Sequence, residues 1–179
     1  VEGEDCDYKT TEHGQFIQEF IKGSQSTFFM SEAQRKIYED ELPETAKANT
    51  HILSSLFDDD FFARINLLNE KYESEPRDNK WIVLGSNSWV KGALQSENWC
   101  KENDLDHEVI FGVEYDQFLK RLAQAKGLCA MPTGYDTCPR LVIEAKLLGC
   151  ALQTNENVQH RDEEWFNKSN DEIIKYLKT

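Results

Sequence analysis

The chain has 179 residues, 30% of them charged, with a formal net charge of -13 and an isoelectric point near 4.7. That length suits one ordinary domain with an appendage and is ample for a buried core. An acidic surface repels polyphosphate and anionic lipid, so nucleic acid and membrane surfaces are disfavoured as partners; a small phosphate ligand held by local N–H groups and one or two cations is not.

Reading from the N-terminus, Gly14 to Gly23 carries Phe16, Ile17, Phe20 and Ile21 at helical spacing, and STFFM (Ser26 to Met30) has strand length. Ser31 is placed to cap a second helix, EAQRKIYEDEL, that stops at Pro43. A short strand HILSS follows at His51 to Ser55, then a helix opened by Asp58, Asp59 and Asp60, acids that suit a helix N-terminus. The polar stretch ESEPRDNK, Glu73 to Lys80, is the best linker candidate.

Beyond it the pattern becomes regular. Strand WIVLG (Trp81 to Gly85), loop SNSWVKG, a helix to about Asn103, strand EVIFGV (Glu108 to Val113) and a helix from Tyr115 to Lys126 come first. Strand LCAMP (Leu128 to Pro132), loop TGYDTCPR, helix LVIEAKLL and strand CALQT follow, with terminal helices expected from Glu164 onward. Near-continuous apolar strands alternating with amphipathic helices predict an α/β fold, a Rossmann-like parallel sheet with helices on both faces. Ligands of such sheets bind in the loops at the carboxyl ends of the strands, here Ser86 to Gly92 and Thr133 to Arg140.

Lys91 and Gly92 follow a strand and open a helix, where an ammonium and the first-turn N–H groups can meet an anion. An exposed lysine at a helix start is the plainer alternative. In the second loop Gly134 permits a tight turn, Thr137 suits an N-cap and Pro139 the first helical position, so the helix is expected to start near Cys138. Glu144, among apolar neighbours, should face solvent or a ligand's hydroxyls, because a buried unpaired carboxylate is costly. Asp136 is either a sugar-binding carboxylate or a cap, and Arg140 either a phosphate ligand or a partner of Asp136 or Glu144. Gly149 reads as the helix C-cap. His160 is a general base, a phosphate contact or, most simply, a surface side chain.

The five cysteines, Cys6, Cys100, Cys129, Cys138 and Cys150, show no CxxC spacing and no histidine at zinc-like separation, so a reducing, cytoplasmic setting without a metal site is expected. Cys129 and Cys150 read as inert buried thiols; Cys138 lies in the polar loop without an identified base. No apolar run approaches the roughly 20 residues needed to cross a bilayer. With Val1 first and Met30 and Met131 its only methionines, the chain reads as a piece of a longer protein.

The pattern Pro132-Thr133-Gly134-Tyr135-Asp136, seven residues, Glu144-Ala145 and then Gly149 resembles the E-x7-E segment (PSxxEGFGLPxLEAMAxG) of retaining glycosyltransferases with the GT-B fold. Lys91-Gly92 after WIVLGSNSW is similar to that family's GRLxxxKG. The resemblance runs from about Asn49 to His160 and implies a donor-binding domain over residues 49–179, with residues 1–48 a helical segment ending an acceptor-side domain that is mostly missing. It implies a nucleotide-diphosphate sugar as donor, an unknown acceptor, and no cofactor or metal. Lys91 would hold the diphosphate, Asp136 would contact the transferred sugar or its phosphate, and Glu144 would bind ribose hydroxyls; Ser86, Gly92, Thr137, Cys138 and Arg140 would line the donor site.

Three departures stand out: the family's first glutamate is Asp136, its arginine before the lysine is Ser86, and DTCPR replaces EGFGLP, removing both glycines. Pro139 also supplies no N–H. Arg140 is the candidate substitute for the cation lost at Ser86. The competing reading is a non-catalytic nucleotide or nucleotide-sugar binding module of the same fold. An NAD-dependent oxidoreductase ranks last, because no strand is followed by the glycine fingerprint.

Overall fold

A computed structural model describes residues 10–42, 44–137 and 139–178. The chain divides after Ser54 into two compact units.

In the first unit, helix α1 (Glu12–Gly23) is capped by the Thr11 hydroxyl, which accepts from Gly14 N at 3.2 Å. Strand β1 (Thr27–Phe29) leads to helix α2 (Glu32–Glu41), whose cap is Ser31, accepting from Gln34 N at 3.0 Å. That helix ends before Pro43, which lies outside the described residues. Strand β2 (Thr50–Ile52) pairs in parallel with β1, Thr27 opposite Thr50. The sequence reading assigned β2 to the following domain; its hydrogen-bonding partner assigns it here.

The second unit opens with helix α3 (Asp59–Tyr72), where Asp58 accepts from Phe61 N at 2.7 Å and Asp59 and Asp60 fill the first turn. Four strands follow, β3 (Trp81–Leu84), β4 (His107–Ile110), β5 (Gly127–Ala130) and β6 (Ala151–Thr154), all parallel in the order β4-β3-β5-β6. Between them lie α4 (Ala93–Glu102), α5 (Tyr115–Gln124) and α6 (Arg140–Leu147), and α7 (Asn170–Leu177) closes the chain after a single turn at Trp165–Asn167. This is the expected α/β fold, a Rossmann-like parallel sheet flanked by helices. Among the described residues no helix is long and apolar enough to cross a membrane.

Strand periodicity decides which layer each side chain joins. Ile82 and Leu128 enter the larger core with Phe61, Leu119, Ile143 and Ile173 from α3, α5, α6 and α7. Trp81, Val83, Cys129 and Met131 point the other way, onto Cys100 and Trp99 of α4. Both faces are covered, which is why the central strands β3 and β5 read as apolar runs without polar alternation.

The stretch Glu73–Lys80 is not an interdomain linker: it joins α3 to β3 inside this unit. Arg77 in it donates from Nη1 to the carbonyl oxygen of Ala125 at 2.9 Å and from Nη2 to that of Leu148. One guanidinium thus serves the carboxyl ends of α5 and α6, where the helix dipole favours a cation.

Candidate functional site

Chain order reverses across β3: β4 lies on one side of it and β5 on the other. In an open parallel sheet such a reversal parts the loops at the strands' carboxyl ends and leaves a crevice. A cavity of about 270 Å³ occupies that place, lined by Leu84 of β3, Ala130 of β5, Lys91, Asp136, Arg140 and Val158 among others.

Two loops build its walls, and one helix joins them. The loop after β3 makes a short turn at Trp89–Lys91 and ends at Gly92, whose left-handed backbone (φ 60°, ψ 40°) starts α4. A Cβ on Gly92 would lie 1.9 Å from the carbonyl oxygen of Met131, so only glycine lets the two loops approach this closely. Ser96, one turn into α4, fixes that approach: its hydroxyl donates to Gly92 O at 2.8 Å and accepts from Met131 N at 2.9 Å. Thr133 adds a bond from its hydroxyl to Trp89 O at 2.6 Å, and its N–H reaches Val90 O at 3.1 Å.

The second loop is held from its far side as well. Asp136 forms an isolated parallel bridge with Val158, donating its N–H to Asn157 O at 2.8 Å. The side-chain amides of Asn155 and Asn157 both donate to Pro132 O, at 2.8 and 2.9 Å. Asp136 therefore occupies a fixed position, and its carboxylate takes Lys91 Nζ at 2.8 Å. The acid retains 13% side-chain exposure and the lysine 39%, so the pair faces the cavity with its charge accessible.

The expected start of α6 needs correction. Thr137 does not cap the helix; Pro139 is the N-cap residue, without a side-chain cap bond, and Arg140 is the first helical residue. Cys138 lies outside the described residues. Arg140 pairs with neither Asp136 nor Glu144 as an ion pair: it is exposed, and its guanidinium lies 4.4 Å from the ring centroid of Phe57. Ser86 turns its hydroxyl into its own loop, accepting from Ser88 N at 3.1 Å. Gly149 terminates α6 with φ 75°; its N–H bonds Lys146 O, and that of Cys150 bonds Ala145 O.

Glu144 differs most from expectation. Instead of facing solvent or an open cleft it is 4% exposed, and its Oε1 accepts from the hydroxyl of Tyr115 at 2.8 Å. Burial raises its pKa, opposed by the Tyr115 hydrogen bond and the Arg140 charge. Tyr115 itself is pushed up, by burial first and then by the neighbouring carboxylate. It remains 44% exposed, so the phenol is the open end of this pair. A carboxyl whose folded pKa is raised contributes most stability below its unfolded value of 4.5 and loses it as pH rises through the folded value. Glu144→Gln keeps an acceptor for Tyr115 and avoids that loss. Its urea midpoint should therefore exceed the native one at pH 7 and converge with it toward pH 4.5; parallel midpoints across that range would remove the argument.

His160 is also misplaced by the sequence reading: it is 2% exposed, packed against Phe166 and Trp165 at 4.6 and 5.5 Å between ring centroids. Its Nε2 has no hydrogen-bond partner among the described residues. Burial pushes its pKa down to about 4, with the Asp136 carboxylate opposing. The thiols of Cys100, Cys129 and Cys150 are free and buried, and burial raises each pKa. That is the inert behaviour expected of Cys129 and Cys150. Among the described residues no three His, Cys, Asp or Glu side chains gather as a metal-ligand set.

The crevice thus unites Lys91, Asp136 and Arg140, with Gly92 beneath the loop contact, whereas Glu144 and Tyr115 are not among the described residues that line it. Sequence reasoning missed Tyr115, Ser96 and the two asparagines. Comparison with protein-family models, with curated proteins and with solved structures finds no match to this chain.

Proposed function

We propose that the second unit is the donor domain of a glycosyltransferase, binding a nucleotide-diphosphate sugar in the crevice between β3 and β5. One observation carries the reading: Lys91 and Asp136, from loops on two different strands, meet at 2.8 Å inside a cavity at the chain reversal. An incoming diphosphate competes with Asp136 for the Lys91 ammonium, and Arg140 at the first turn of α6 adds a second cation. Asp136, released from Lys91, is then available to hydroxyls of the sugar. The Tyr115 phenol, bonded to Glu144 outside the lining of the cavity, is assigned to the ribose that extends beyond it.

In the transfer step the acceptor oxygen bonds to the anomeric carbon as the bond from that carbon to the β-phosphate oxygen breaks. The acceptor's proton passes to the departing diphosphate, whose charge Lys91 and Arg140 stabilise. The acceptor side would come from outside the second unit, which begins at Ser55, and the setting would be cytoplasmic. A second reading, nucleotide binding without transfer, is favoured by Ser86, whose hydroxyl is committed to its own turn in the place of the family's arginine.

The test is a melting-temperature titration with UDP, GDP, ADP, dTDP and their sugars, comparing the native chain with Lys91→Ala and Glu144→Ala. A ligand at 100 times its dissociation constant adds about 2.7 kcal/mol of stability. The donor reading expects one nucleotide to raise the native melting temperature and the Lys91 variant to lose that rise. No rise with any nucleotide at several millimolar would defeat it. Sugar transfer or donor hydrolysis would separate enzyme from binding module.

A further inference from the structure

A second depression, of about 590 Å³, lies on the α4 side of the sheet beyond the end of β6, and the donor reading makes no use of it. One wall is a helical stripe at positions i, i+3, i+4 and i+7: Gln95, Asn98, Trp99 and Glu102. The other wall is Gln153 and Thr154 of β6 with Asn155, Glu156 and Arg161 beyond it, and the floor is Met131, 8% exposed.

The chemistry of these walls restricts the ligand. Among the described residues the carboxamides of Gln95, Asn98 and Gln153 have no hydrogen-bond partner, leaving donors and acceptors on both sides of the groove. Among the described residues Arg161 is the one cation in the lining and is already engaged, donating from Nη1 to Thr154 O at 3.3 Å and from Nε to Asp162 at 3.2 Å. Glu102 and Glu156 leave the lining with one net negative charge, which disfavours phosphates and other anions. Apolar surface is limited to the half-buried ring of Trp99 and the edge of Met131, too little for a lipid chain. Free carboxamides that can each meet two neighbouring hydroxyls, beside one aromatic face for a ring's C–H groups, suit a polyhydroxylated ring compound.

We propose that this groove binds a neutral oligosaccharide. It runs alongside the crevice, with a single loop between them: Met131 floors the groove, the adjoining Pro132 lines the crevice, and Asn155 of the groove wall holds Pro132 O at 2.8 Å. The groove stands on its own lining and does not depend on a nucleotide entering the crevice. If the donor reading holds, the groove places an extended acceptor or product glycan beside the transferred sugar.

The experiment follows the side-chain amide resonances of Gln95, Asn98 and Gln153 and the Trp99 indole by ¹H–¹⁵N NMR while maltotriose, chitotriose or mannotriose is added, with UDP titrated into a parallel sample. The expected result is saturable movement of these resonances with one trisaccharide at millimolar concentration. The double substitution Asn98→Ala and Gln153→Ala, on a groove surface that leaves the cores intact, should weaken that binding about tenfold or more with the melting temperature retained. No movement with any of the three at about 20 mM, or equal movement of the Gln95 and Trp99 resonances in the double variant, overturns the proposal. The UDP sample reports on the crevice separately, so failure of one site is distinguishable from failure of the other.

Discussion

Gly92→Ala is expected to cost about 3 kcal/mol or more of stability in the second unit, lowering its melting temperature by roughly 10 °C. Two independent penalties add. The backbone at Gly92 has φ 60°, where an alanine is strained by about 1 kcal/mol, and its Cβ would lie 1.9 Å from Met131 O and 2.7 Å from the Met131 carbonyl carbon. No flexible side chain can move aside, because the obstruction is backbone held by Ser96 and Thr133. The variant must part the loops that carry Lys91 and Asp136, so ligand binding should fall with stability. Thermal unfolding checks it, and a loss below about 1 kcal/mol would show that the two loops are not packed as described.

His160→Gln is expected to flatten the acid limb of the stability curve. The histidine is neutral in the fold, with its pKa pushed down from 6.5 to about 4 by burial. A depressed folded value means that the unfolded chain binds the proton more readily between those two pH values, so stability is fully present above 6.5 and falls as pH drops toward 4. The integrated difference is about 3 kcal/mol. At pH 7 the variant should be less stable than the native chain through lost packing against Phe166 and Trp165, and that gap should narrow by about this amount near pH 4. Urea unfolding at pH 7, 5.5 and 4 measures it. A gap that stays constant with pH would mean that His160 titrates normally, hence that it is solvated.

Much of the second unit was legible because its strands leave no ambiguity of period. WIVL and GLCA carry apolar side chains on both faces, and each is followed by a loop rich in turn formers, so β3, β5 and the crevice between them are readable from local pattern. Ser31, Asp58 and the glycine ending α6 behaved as end signals should, each satisfying backbone groups within a few residues of itself. The errors arose where a partner is distant in sequence. Glu144 was read against its immediate neighbours, whereas the hydroxyl that makes its burial tolerable belongs to Tyr115, 29 residues earlier. Ser96 reads as a weak helix former in α4, and only the return of the chain at Met131, 35 residues on, reveals it as a clamp.

His160 follows the last strand in the short segment NVQH, which by itself does not reveal burial; the signal is Trp165 and Phe166 just downstream, aromatic side chains that must bury somewhere. At α6 two start signals competed. Thr137 offered a side-chain cap, but Pro139 takes φ -76° and ψ 73°, outside the helical region, and delays the first helical residue to Arg140.

The central claim is that the Lys91–Asp136 crevice is a diphosphate site. Calorimetric titration of the native chain and of Lys91→Met with a nucleoside diphosphate and with the corresponding nucleoside tests it most directly. Lys91 is 39% exposed, so its replacement should leave the fold standing while removing the ammonium that Asp136 now holds. The account predicts that the diphosphate binds the native chain and loses about 100-fold or more in the variant, whereas any nucleoside affinity changes by less than about threefold. Equal losses for both ligands, or a diphosphate affinity indifferent to Lys91, would contradict it.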